Sequence, residues 1–134
     1  MARELLSAHV KSRYISEEIL IFGSCTAIEH PEILKQFKTS TKLHVCLEKF
    51  HIEQAAWKIA MIAKVNEIKS ITVLTVDGSP HCLQLHFALE DLRKLFPNLK
   101  IKHYVIEKSK LYEVSSEAVR TSRHLNAIEK LIRE

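Results

Sequence analysis

Residues 70–82, which read SITVLTVDGSPHC, are the stretch that decides the fold. Residues 70–76 are apolar and rich in β-branched side chains, which predicts a buried strand. Ser79 and Pro80 then have the residue types of a helix N-cap and a first helical turn. A strand that passes directly into a helix is typical of parallel α/β proteins, so we expect a sheet covered by helices.

The same alternation of strands and helices extends along the chain. Right-handed crossovers then give an α/β fold, a three-layer α/β/α domain over residues 1–134, with a mainly parallel four-stranded sheet. Its strand order is predicted as 2-1-3-4, with residues 111–114 pairing back as a short extra edge strand. The predicted strands are 18–22, 42–47, 70–76 and 100–106, and the predicted helices are 2–12, 26–38, 52–65, 80–96 and 116–132.

Composition narrows the class of protein. A chain of 134 residues holds one sizeable core, and no apolar run reaches the roughly 18–20 residues that span a bilayer. Residues 1–6 lack the apolar region of a signal peptide, so we expect a cytoplasmic protein with no membrane association. Three cysteines suit a reducing compartment better than a disulfide framework. The net charge of +4 slightly favours anionic partners and is too small to predict nucleic-acid binding.

Two cysteines follow predicted strands and carry the main functional hypothesis. Cys25 comes after the strand at 18–22, and His81 and Cys82 come after the strand at 70–76. The predicted strand order reverses between these two strands, and open α/β sheets bind ligands beyond the carboxyl ends at such a point. An imidazole and two thiolates are a zinc ligand set, so we predict a zinc site that acts on a small molecule or anion.

A simpler interpretation of these cysteines remains open. Cys25 and Cys82 are both of a residue type that often lies buried as a small apolar side chain. Cys46 falls inside a predicted strand, and we interpret it as a core residue. His86 follows Cys82 by one helical turn, where a packed or surface histidine is favoured over a metal ligand.

The chain resembles the beta-class carbonic anhydrases at these residues. Residues 21–25 resemble the segment that ends in that family's first zinc-binding cysteine, and residues 55–82 resemble its helix, strand and second-cysteine segment. Residues 102–114 resemble its last strand and the hairpin that follows. The resemblance implies a parallel α/β fold in which Cys25 and Cys82 bind zinc.

The sequence departs from that family at its reactive positions. Residues 25–29 read CTAIE, where the family has a Cys-x-Asp-x-Arg pattern. Ser79 stands where the family has its ligand histidine, so we assign that role to the neighbouring His81. Asp77 is predicted as the catalytic group that orients or displaces the zinc-bound water. Ordinary hydratase activity is not expected without the Asp–Arg pair.

The predicted helix at 52–65 supports an alternative function. It is apolar around most of its circumference, and such a helix is usually covered on two sides. One cover is the sheet, and the other is either a second copy of the chain or the chain's own termini. With a second copy, the protein would be a homodimeric, non-catalytic interaction or regulatory domain. A flavodoxin-like nucleotide site is not favoured, because Gly23 and Gly78 are the only glycines and form no glycine-rich loop.

Overall fold

The fold is built on one six-stranded sheet, in a computed structural model that describes residues 2–134. Its order is β1-β3-β2-β4-β5-β6, and neighbouring strands are parallel except in the β5–β6 hairpin. The strands are β1 Ala2–Glu4, β2 Glu18–Gly23, β3 Thr41–Val45, β4 Ser70–Val76, β5 Lys100–Glu107 and β6 Lys110–Val114. The helices are α1 Ser24–Glu29, α2 Pro31–Leu34, α3 Ile52–Val65, α4 Pro80–Leu92, α5 Ser116–Thr121 and α6 Leu125–Arg133.

The sheet has six strands, so the predicted count of four was wrong. The short extra edge strand predicted at 111–114 is confirmed as β6, which pairs with β5. The predicted order 2-1-3-4 describes only the inner strands β3-β2-β4-β5, and the full order differs because β1 and β6 occupy the two edges. The helix predicted at residues 2–12 was also wrong, since Ala2–Glu4 pairs with β3 in parallel. A short helix gains little by itself in water, whereas the edge of β3 offers unpaired backbone groups to an extended segment.

The helix predicted at residues 26–38 is two short helices, and Pro31 is the reason. Pro31 occupies the first turn of α2, and His30 before it has φ −136° and ψ 55°. A residue that precedes proline is disfavoured in the helical region, so α1 ends at this point and α2 starts anew.

Side chains of the inner strands alternate between two apolar layers. Ile19 and Ile21 of β2 belong to the cluster that α3 and α4 cover. Leu20 and Phe22 belong to the cluster on the opposite face, together with Ile33 of α2. Helices therefore lie on both faces of the sheet. No helix within residues 2–134 is both long and apolar enough to cross a membrane.

Helix α3 has the bounds predicted from the sequence. The N-terminal segment of the chain covers part of a second side of α3, distinct from the side that packs against the sheet. Lys58 Nζ donates to the Leu6 carbonyl at 3.4 Å, and Asn66 Nδ2 donates to the Val10 carbonyl at 2.6 Å. Trp57, on the same helix, remains 69% exposed. The chain's own terminus thus accounts for part of the cover, and Trp57 is left on the surface.

Candidate thiol site

All three cysteines of the chain lie at the carboxyl edge of the sheet. Cys25 is in the first turn of α1 directly after β2, Cys46 follows β3, and Cys82 is in the first turn of α4. Because β3, β2 and β4 are adjacent and parallel, the segments after them meet at one edge. The three cysteines line one cavity of about 130 Å³ together with His81 and Glu48. We call this cavity the thiol cavity.

Gly23 shows how close two of the thiols are. A Cβ atom placed on Gly23 would lie 3.4 Å from Cys82 Sγ and 3.9 Å from Cys25 Sγ. Both sulfurs are therefore within van der Waals contact of a single point. Gly23 has φ −66° and ψ 136°, a conformation that any residue can adopt. The backbone therefore does not require glycine here, and the effect of Gly23 is to leave space beside the two sulfurs.

The charges around Cys25 oppose its ionisation. Burial raises the pKa of the Cys25 thiol, and the neighbouring Cys82 and Glu29 raise it further. Cys25 is nevertheless exposed, and Cys82 is half-buried. A cation between the two sulfurs would remove the repulsion between their charges, because opposite charge stabilises the thiolate form.

The structure separates Asp77 from the thiol cavity. Asp77 lines a neighbouring cavity of about 280 Å³, together with Thr75, His86 and Val105. Its backbone N–H donates to the Ile106 carbonyl at 2.9 Å, which continues the pairing toward β5 on the side away from β2. Asp77 thus lines a different cavity from the two thiols, and its role on a zinc-bound water stays a prediction.

The other predicted ligands share a cavity without forming a finished ligand set. Cys25, His81 and Cys82 all line the thiol cavity. No group of three or more His, Cys, Asp or Glu side chains between residues 2 and 134 is arranged to hold a metal ion. A metal at this site would need a third side chain to move toward the two sulfurs.

Cys46 was wrongly interpreted as a core residue within a strand. Strand β3 ends at Val45, which pairs with Gly23, so Cys46 is the first residue beyond the strand. It is half-buried and lines the thiol cavity. The predicted strand extended two residues too far, to 47, and this error hid the third thiol.

A buried chain of hydrogen bonds lies beside the second cavity, and sequence analysis did not find it. Thr75 Oγ1 lies 2.7 Å from His86 Nε2, and His86 Nδ1 lies 2.8 Å from His103 Nδ1. His103 Nε2 lies 2.6 Å from Glu90 Oε2, and the other carboxylate oxygen accepts from two arginines. Those arginines are Arg93 and Arg120, at 3.0 and 3.1 Å.

The ionised Glu90 determines which atom donates in each hydrogen bond between Glu90 and Thr75. A carboxylate only accepts, so His103 Nε2 donates to it. A neutral His103 then accepts at Nδ1, and His86 must donate from its own Nδ1. His86 Nε2 is left as an acceptor, and it takes the hydroxyl proton of Thr75. Both histidines are neutral in this arrangement, in opposite tautomers.

The pKa shifts of these three side chains agree with two neutral histidines beside an ionised Glu90. Burial and the neighbouring His103 lower the pKa of His86 to about 3. Burial also lowers the pKa of His103, although its contact with Glu90 acts in the opposite direction. Burial raises the pKa of Glu90, but hydrogen bonds from His103, Ser116 and Arg93 outweigh it and lower that pKa to about 2. His86 is thus a packed histidine and lies outside the thiol site.

A comparison with protein families shows which family the chain belongs to. The profile of one family, described as a Rossmann-like domain, matches residues 13–133. The chain belongs to this family. The match to the Rossmann-like domain covers β2 through α6, and it agrees with the mostly parallel sheet between helices. Comparison with curated proteins gave no significant match. The Rossmann-like description supports a fold and assigns no activity.

Proposed function

We propose that this Rossmann-like protein binds zinc at the thiol cavity through Cys25 and Cys82, on a scaffold laid out like a beta-class carbonic anhydrase. The observation that carries the proposal is the position of the two sulfurs, 3.9 and 3.4 Å from one point above Gly23. Thiolates of this kind are preferred zinc ligands. The free state of all three cysteines suits a reducing compartment, which supports a cytoplasmic location.

The third ligand comes from the same cavity. His81 is exposed and lies next to Cys82 in the first turn of α4, and Cys46 lines the same cavity after β3. Zinc accepts either an imidazole nitrogen or a thiolate sulfur in a tetrahedral site. The fourth position is left for water or a small anion, and a zinc-bound water can become a nucleophile near neutral pH.

Carbonic anhydrase activity of the ordinary kind is not part of the proposal. Ala27 stands where the resembled family has its aspartate, and Glu29 stands where that family has its arginine. Glu29 adds a negative charge that raises the pKa of Cys25, whereas an arginine would act in the opposite direction. We infer that an anion at this site is held by the metal and not by a neighbouring cation.

Metal analysis tests the zinc proposal. The full chain is purified without chelators and its zinc content is measured by mass spectrometry, with an expected value of about one zinc per chain. Cys25→Ser and Cys82→Ser are each expected to reduce the zinc content to background. His81→Ala and Cys46→Ser identify the third ligand, and His124→Ala, at an exposed histidine outside the cavity, is the matched control. Only trace metal in the unmodified protein would refute the proposal.

A non-catalytic interaction domain is the second candidate, and Trp57 favours it. This side chain is 69% exposed on α3, and it is the only tryptophan in the chain. Aromatic side chains of this size are enriched at the centres of interfaces. The occupant of the surface would be a second copy of the chain, in which α3 packs against α3.

Light scattering with tryptophan fluorescence tests the dimer. A homodimer through α3 gives twice the monomer mass at high concentration, with a blue-shifted emission from Trp57. Trp57→Ser is expected to restore the monomer, whereas a substitution at the exposed Glu67, just beyond α3, is expected to leave the dimer intact. A monomeric mass for the unmodified chain at the highest concentration would exclude this candidate.

A further inference from the structure

We propose that Cys25 and Cys82 are also a redox pair, which closes into an intramolecular disulfide and thereby releases zinc. This regulation rests on the proposed zinc site, but formation of the disulfide can be tested without any metal. The proposal depends on the two sulfurs, on the space at Gly23 and on the access of oxidants to Cys25.

The positions of the two thiols permit them to meet. They come from different elements, α1 and α4, yet both sulfurs contact the same point above Gly23. Gly23 has no side chain to occupy that point. Both cysteines are in their free form in the structure, so both sulfurs are available.

The three thiols differ in their exposure to solvent. Cys25 is exposed, whereas Cys46 and Cys82 are half-buried. Cys82 Sγ shares the point above Gly23 with Cys25 Sγ, so Cys82 is the thiol that the geometry places beside Cys25. We therefore assign Cys25 as the thiol that meets the oxidant and Cys82 as the thiol that resolves it.

Hydrogen peroxide serves as the oxidant in the proposed reaction. Cys25 reacts through the small thiolate fraction that its raised pKa leaves at neutral pH, so the oxidation is expected to accelerate as the pH rises. That thiolate attacks one peroxide oxygen and the O–O bond breaks, which leaves Cys25 as a sulfenic acid and releases hydroxide that becomes water on protonation. The thiolate of Cys82 then attacks Cys25 Sγ, the S–S bond forms and the S–O bond breaks. The second hydroxide also becomes water, so the two thiols lose two electrons and the peroxide gains two.

Zinc binding and disulfide formation exclude each other. Zinc needs deprotonated thiolates, and the two sulfurs of a disulfide no longer offer them. Conversely, sulfurs held by zinc are less available to attack peroxide. We expect bound zinc to slow the oxidation, and oxidation to release the zinc.

The test begins with metal-free protein treated with a small excess of hydrogen peroxide. Intact mass after alkylation is expected to show two blocked thiols and one alkylated thiol, and peptide mapping is expected to join Cys25 to Cys82. Dithiothreitol reverses the change. Cys46→Ser is the matched control and retains the disulfide, whereas Cys25→Ser and Cys82→Ser form none. Thermal melts of the three variants establish that each is folded.

Several outcomes would overturn the redox pair. They are a sulfinic acid at Cys25 with Cys82 still alkylated, a disulfide that joins Cys46, and a disulfide between two molecules. Zinc content measured on the same samples separates the two proposals. Zinc without the intramolecular disulfide refutes the redox pair alone, and the disulfide in a protein that never holds zinc refutes the zinc site alone.

Discussion

Acid is expected to destabilise the protein through His86. This histidine is 2% exposed, and burial together with the neighbouring His103 lowers its pKa from 6.5 to about 3. Below pH 6.5 the unfolded chain binds a proton at His86 that the folded protein excludes. The free energy of unfolding therefore falls as the pH falls, until the pH reaches the folded pKa.

The size of the effect follows from the difference between the two pKa values. Each pKa unit corresponds to 1.36 kcal/mol, so the contribution of His86 falls by about 2 kcal/mol at pH 5 and by about 4 kcal/mol at pH 3.5. Glu90 acts in the same direction below its usual pKa of 4.5, because its folded pKa is about 2. A domain of this kind is stable by about 5–15 kcal/mol, so a large part of the total is at stake.

Urea unfolding at several pH values measures this contribution. His86→Gln removes the titrating group, so it lowers stability at pH 7 but is expected to flatten the pH dependence between 6.5 and 3.5. His124→Gln, at an exposed histidine, is the matched control and is expected to keep the slope of the unmodified protein. The reasoning fails if His86→Gln shows the same slope as the unmodified chain, or if NMR shows that His86 titrates near 6.5.

Three further predictions test other parts of the account. Gly23→Ala is expected to weaken zinc binding, because the added Cβ would lie in contact with both sulfurs and restrict their movement toward a shared ion. The fold is not expected to lose stability, since Ala at a compatible backbone position adds about 0.4–1 kcal/mol. Unchanged zinc affinity in a competition titration would contradict this prediction. In Cys46→Ser protein, the alkylation rate of Cys25 is expected to keep rising with pH above the pKa of an ordinary thiol, because burial and Cys82 raise the pKa of Cys25. A rate that levels off at neutral pH would contradict this prediction. Ile59→Ala, at a fully buried position of α3, is expected to lower the free energy of unfolding by about 2–5 kcal/mol in urea, and a loss below 1 kcal/mol would contradict the packing described.

Segments with strong and consistent local signals were predicted well. Helix α3 and strand β4 have the bounds expected from the sequence, and Ser79 caps α4 as expected by accepting from the Cys82 N–H. The N-terminal residues were predicted wrongly because their strand depends on pairing with the distant β3. Local propensity does not contain that contact.

The residues of the candidate site also differ in how far the sequence predicts their positions. The approach of Cys25 to Cys82 follows from strand order, which the alternation of elements constrains. Cys46 was missed because its exposure depends on where β3 ends, and strand ends are poorly defined in sequence. The contact of His86 with His103 depends on how α4 is rotated against β5, and no local pattern specifies that rotation.

The most direct test of the central claim is X-ray absorption at the zinc edge of the zinc-loaded chain. If Cys25 and Cys82 share one ion, the spectrum shows at least two sulfur ligands at about 2.3 Å, and Cys25→Ser and Cys82→Ser each lose the metal. A bound zinc surrounded only by nitrogen and oxygen would contradict the account.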